Sequence, residues 1–165
     1  MKFSFIILTI FFIDGCSPKS EDTISLVCHG DSIFNYQNTL QKINNQYNEK
    51  ESKSYKLTNY LSNEGKNEWM VVEDGKREWK NENKDFLLQK IEVSEQLIRF
   101  EMNSSYGRNT EESSENVTSE EVEINRISGN WTRRETRTNY FYKNNYQIFS
   151  HRTKGICEKI RENKI

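Results

Sequence analysis

Along most of the chain beyond residue 22, apolar and polar residues alternate, the period of a strand with one wet face. Ile24 and Leu26 stand between polar neighbours in Thr23–Cys28, and Tyr55 and Leu57 alternate with Lys56 and Thr58. Glu68 to Glu73 is a strand followed by Asp74-Gly75, a hairpin dipeptide because both residues tolerate a left-handed backbone. The return strand carries Arg77 and Trp79. Phe86 to Val93 and Gln96 to Met102 are two further strands, the second with Ile98, Phe100 and Met102 on one face. Val122 and Ile124 begin another, which turns at Ser128-Gly129-Asn130 into Trp131–Tyr142. Tyr146 to Cys157 closes the series. Two stretches depart from this pattern. Ile33, Tyr36, Leu40, Ile43 and Tyr47 recur at helical spacing, so 32–48 is either a short helix or a loosely paired strand. Residues 103–121 have no apolar periodicity and read as a long mobile loop. Consecutive strands without helix-length crossovers predict a mainly β domain. Its architecture is an antiparallel meander, either a small barrel or a curled sheet.

The N-terminus follows different rules. Lys2 supplies a positive charge, and Phe3 to Ile13 is apolar apart from Ser4 and Thr9. A charged start and a short apolar run describe a signal peptide, here 1–15, and the run is too short to span a bilayer. Ile13-Asp14-Gly15-Cys16 resembles the lipobox of bacterial lipoproteins, with Asp14 where that pattern usually holds a small residue. The resemblance implies that Cys16 is acylated, palmitate included, and that 16–22 is a lipidated tether. The competing reading is ordinary cleavage after Gly15. In the sorting rule of enteric lipoproteins, Ser17 after the cysteine implies the outer membrane, with the domain facing the periplasm. Soluble secreted or periplasmic protein is the other localisation.

The cysteine count follows from this. With Cys16 lipidated, Cys28 and Cys157 remain as an even pair in an oxidising compartment, near the two ends of the 23–165 domain. A disulfide between them closes nearly the whole domain; two independent buried thiols are the alternative. In the chain-entropy model such a loop contributes up to ~5 kcal/mol. Ile124-Asn125-Arg126-Ile127-Ser128-Gly129, Gly155-Ile156-Cys157 and the early Cys28-His29-Gly30 resemble small uncharacterised lipoproteins of Gram-negative bacteria. That resemblance agrees with the pairing and the export route, and it implies no activity.

Composition narrows the function. Of 165 residues 33% are hydrophobic and 30% charged, and four of the nine Phe lie in the leader, so the core is thin. The eight Tyr and three Trp argue against disorder. A net charge of -1 removes a global case for nucleic acid binding. That balance conceals a division, because residues 124–165 carry ten Lys/Arg against three Glu. Neighbouring strands pairing these charges is one explanation. A basic 124–165 face meeting a protein or an anionic envelope partner is the other.

The chain lacks the common hydrolase, zincin, P-loop and calcium-loop motifs. His29 and His151 flank the cysteine pair but read as surface histidines, so no metal, cofactor or catalytic residue is assigned. Trp69, Trp79 and Trp131 could stack on a glycan, although at strand spacing they read as core. The function expected is a membrane-anchored, non-catalytic binding or structural domain. The alternative is an inhibitor or immunity protein against an exported lysozyme or toxin.

Overall fold

The computed structural model describes residues 23–107, 115–141 and 145–160. The expected signal peptide, 1–15, and the expected lipidated tether, 16–22, lie outside the described residues. Among the described residues ten strands follow in order: β1 (Thr23–Asn38), β2 (Ile43–Leu61), β3 (Asn67–Glu73), β4 (Arg77–Lys80) and β5 (Glu82–Lys84). Then come β6 (Leu87–Val93), β7 (Leu97–Tyr106), β8 (Glu115–Asn125), β9 (Asn130–Phe141) and β10 (Asn145–Lys159). They form one antiparallel sheet, ordered β4-β3-β2-β1-β10-β9-β8-β7-β6-β5, curled into a nearly closed barrel. The predicted mainly β meander is the observed class.

The curl brings β3 and β4 alongside β6. β1 pairs with β10 over most of its length, so the first and last strands are neighbours and the seam falls mid-chain. β4 and β5, the two edges of the sheet, are joined only through Asn81. Side-chain amides bridge this seam. Asn81 Oδ1 accepts from the Ile91 N–H at 2.8 Å, and Gln89 Oε1 accepts from the Lys80 N–H at 3.3 Å.

Two expectations are corrected. No helix forms over 32–48: β1 runs on to Asn38, and β2 starts at Ile43 after a tight turn. Phe34 and Tyr36 follow the inward phase set by Ile24 and Leu26, while Ile33 points out and is 42% exposed. Ile33 and Tyr36 on opposite faces of β1, Leu40 in the turn, and Ile43 and Tyr47 on β2 thus imitated helical spacing. The loop over 103–121 is also shorter than expected. Asn103–Tyr106 extends β7 and Glu115–Glu121 belongs to β8, paired as Asn103 with Ser119 and Tyr106 with Asn116. The middle of that stretch, 108–114, lies outside the described residues. The hairpin at Asp74-Gly75 forms as predicted, with φ of 50° and 66°.

Cys28 and Cys157 face each other across β1 and β10 and form a disulfide. Beside it Gly30 opposes Gly155. The strands approach so closely here that a Cβ on Gly155 would lie 2.0 Å from the His29 carbonyl oxygen, and one on Gly30 2.5 Å from that of Lys154. Only glycine fits at both positions.

Inward residues at the disulfide end make an apolar core. Trp79, Trp131, Tyr55 and Phe100 are its largest members, packed with Leu57, Val71, Ile98, Val122 and Ile124. Phe100 meets Tyr55 and Trp79 edge-on, at centroid distances of 5.4 and 4.9 Å. Burying each such side chain contributes about 1.5–3 kcal/mol.

Candidate functional site

Beyond the apolar core, the inward positions of the same strands carry charge. On β8, Glu120 continues the phase of Val122 and Ile124; on β9, Arg133 and Glu135 continue that of Trp131. β2 contributes Glu51 and Lys53, β3 contributes Glu73, and β10 contributes Thr153 and His151.

Arg133 is the hub. Its Nη1 donates to Glu73 Oε1 at 2.7 Å and to Glu51 Oε1 at 3.3 Å. Its Nη2 lies 2.7 Å from Glu120 Oε1 and 3.6 Å from Glu135 Oε2. Four carboxylates around one guanidinium need further cations. Arg77 Nη1 sits 2.6 Å from Glu120 Oε2 with its guanidinium over the Trp79 ring, Lys53 reaches Glu73 at 3.2 Å, and Arg137 holds Glu135. Trp79 Nε1 donates to Glu73 Oε2 at 3.3 Å. Breaking such a buried network by removing one partner costs far more than an exposed ion pair does, because the remaining charges stay buried.

The network controls protonation. At His151 burial opposes the cation, but the carboxylates of Glu135 and Glu51 outweigh it and lift the pKa to about 8. At Glu51 burial works against the anion, yet hydrogen bonds from His151, Thr153 and Ser32 hold the pKa at about 2. Glu135 is likewise held at about 2 against its burial, by His151, Arg137 and Arg133. Glu120 differs. Burial pushes its carboxyl above the usual range, and Arg133 and Arg77 recover only part of the cost.

Ser32, Thr153, His151 and Glu135 have the connectivity of a hydroxyl–imidazole–carboxylate relay. Thr153 Oγ1 lies 2.9 Å from His151 Nε2 and 2.8 Å from Ser32 Oγ, and His151 Nδ1 lies 3.8 Å from Glu135 Oε2. Access decides what the relay can do. Thr153 is 0% and Ser32 1% exposed, and both hydroxyls are engaged with Glu51. A nucleophile needs a path to its substrate, and these oxygens have none. The set works as a buried strut.

Above the strut the barrel opens. β3 pairs with β2 only from Tyr55 onward, so among the described residues Ile43–Lys53 has a strand on one side only. The inner face becomes a trough. Phe34 stacks on His151 (4.1 Å) and on Tyr47 (4.8 Å), and meets Phe149 at 5.9 Å. Tyr36, Phe149, Arg137, Gln147 and Asn139 line a recess of about 360 Å³ there. At the opposite end of the barrel, Ile24, Leu26, Ile98 and Ile124 floor a second recess of about 350 Å³, rimmed by Glu95, Arg126 and Lys159.

The residues singled out in the sequence are distributed as follows. Cys28 and Cys157 come together in the disulfide, whereas Cys16 lies outside the described residues. His29 and His151 do not come together. His29 points outward, bonded through Nδ1 to Ser52 Oγ at 2.7 Å, and His151 is buried inside rather than at the surface. Trp79 and Trp131 are fully buried, and Trp69 is half-buried against the core. The basic residues of 124–165 occupy both faces: Arg133 is interior, while outward Arg134 pairs with Glu121 at 2.9 Å. The charged interior was missed, although its signal was present as charged residues in the inward phase of strands whose neighbouring inward residues are apolar.

No protein-family model matches the chain, and no match is found among curated proteins or solved structures.

Proposed function

We propose that the protein is an exported, lipid-anchored domain that acts by contact rather than by catalysis, facing the periplasm from the outer membrane. The carrying observation is the Cys28–Cys157 disulfide, which joins the first and last strands. Such bonds persist where the surroundings are oxidising. The reading is further supported by the short apolar leader and the lipobox-like Ile13-Asp14-Gly15-Cys16. Burial of the Thr153–His151–Glu135 relay supports a non-catalytic role. The barrel then serves as a rigid body on a short tether, offering its outer wall and its open trough to partners.

Intact-mass analysis of protein extracted from membranes tests the anchor. The expected mass is that of a chain beginning at Cys16 plus a diacylglyceryl group and an amide-linked acyl chain. An unlipidated chain beginning at Cys16, or one retaining Met1, overturns it. Cys16→Ser is expected to move the protein from the membrane to the soluble fraction.

A further inference from the structure

We propose that the trough at the open end of the barrel is a binding site for a neutral saccharide chain. The site deepens the contact-domain reading and rests on it. Two cross-strand rows, each three strands wide, build its floor. In the first, Tyr36 on β1 opposes Phe149 on β10, which opposes Arg137 on β9. In the second, Asn38 opposes Gln147, which opposes Asn139. One row therefore supplies aromatic faces and a guanidinium; in the next, Asn38 is buried with its amide engaged by Tyr36 and Gln41, while Gln147 and Asn139 line the recess with primary amides that both donate and accept hydrogen bonds. Aromatic faces receive the C–H side of a sugar ring while amides pair with its hydroxyls.

The rows are held in place before anything binds. Asn38 Nδ2 donates to the Tyr36 hydroxyl at 3.1 Å and fixes that ring from below. Phe149 leans on Phe34, which is itself stacked between Tyr47 and His151. Arg137 Nε is bound to Glu135, a carboxylate already fixed in the buried network. Preorganisation of this kind lowers the entropy lost on binding.

Charge selects the ligand class. Arg137 is matched by Glu135 and His151 lies between Glu135 and Glu51, so the cations beneath the recess are already neutralised. With Arg137 already matched by Glu135, an anionic ligand finds little net positive charge there, whereas a polyhydroxyl ligand leaves every ion pair intact. The recess of about 360 Å³ is at the small end of ligand sites and is open along the trough, which suits one ring of a longer chain.

The test is a ¹⁵N NMR titration of the full chain in detergent with chitotriose and maltotriose as neutral probes and trigalacturonate as the acidic one. A neutral probe is expected to give saturable shifts at Arg137, Asn139, Gln147 and Phe149. Asn139→Ala and Gln147→Ala, which leave the apolar core untouched, should each weaken binding several-fold, and Phe149→Ala at least tenfold. No saturable shift with either neutral probe at millimolar concentration overturns the proposal. So does binding of trigalacturonate alone, or binding that survives all three substitutions. Failure here with the lipid mass present removes the saccharide site and leaves the anchored domain. Saccharide binding by a chain lacking the lipid does the reverse.

Discussion

The two ends of the barrel are made by the same strands and filled on opposite principles. At the disulfide end, Leu57, Val71, Ile98, Val122 and Ile124 exclude water and hold the sheet by area. Two to four residues beyond the last apolar inward position of β2, β3, β8 and β9, Glu51, Glu73, Glu120 and Glu135 converge on Arg133, and the sheet is held by direction. An apolar contact tolerates a small shift. An ion pair inside a barrel does not, since each misplaced charge forfeits its partner without regaining water. The thin core is therefore extended by a charged layer that fixes the curvature on which the open trough depends.

The largest effect is expected from the hub. Arg133→Ala leaves four carboxylates facing one another and should cost about 3–5 kcal/mol in urea unfolding. Leu57→Ala at the apolar end should cost about 2–5 kcal/mol. The two differ in kind, since acidification should partly rescue Arg133→Ala by protonating the stranded carboxylates and should not help Leu57→Ala. Equal behaviour of both on acidification would erase the distinction between the two ends. Next, the double change Cys28→Ala with Cys157→Ala should lower stability by about 2–5 kcal/mol, read as a drop in the urea midpoint.

The pH dependence is smaller and has a fixed sign. His151 is lifted from 6.5 to about 8, so its contribution is full below pH 6.5 and is lost as pH rises through 8. Glu51 and Glu135 are depressed from 4.5 to about 2, so theirs is full above pH 4.5 and is lost as pH falls towards 2. Stability should therefore be greatest between about pH 4.5 and 6.5, and His151→Gln should flatten the alkaline side; an unchanged alkaline slope would detach His151 from the network. The smallest effect belongs to the seam. Asn81→Ala removes the acceptor of the Ile91 N–H and should cost about 1 kcal/mol, with faster amide exchange at Ile91 as its signature.

The same contrast explains what the sequence revealed. Alternation was clear wherever inward residues are apolar, as at Ile24 and Leu26 or Ile98 and Phe100, and those strands were found. The Asp74-Gly75 turn was legible because its chemistry is local. Towards the open end, inward residues are charged, amide or aromatic and outward ones mix polar residues with apolar ones such as Ile33, so the period of two loses its contrast. That is why β1 past Ser32 imitated a helix and the tips of β7 and β8 imitated a loop. The charged layer was hidden for a further reason: its members come from β2, β3, β8, β9 and β10, and only the curl of the sheet assembles them.

The seam at Asn81 has a consequence for how the molecule comes into being. With the seam placed mid-chain, the first and last strands pair in the middle of the sheet, and this longest-range ladder awaits the last strand to be made. Contacts of such separation form slowly. Until then Cys28 has no partner thiol from β10, the Gly30 backbone has no strand to press against, and the wall stays unzipped. A polypeptide built this way stays unlocked for as long as its last strand is held back.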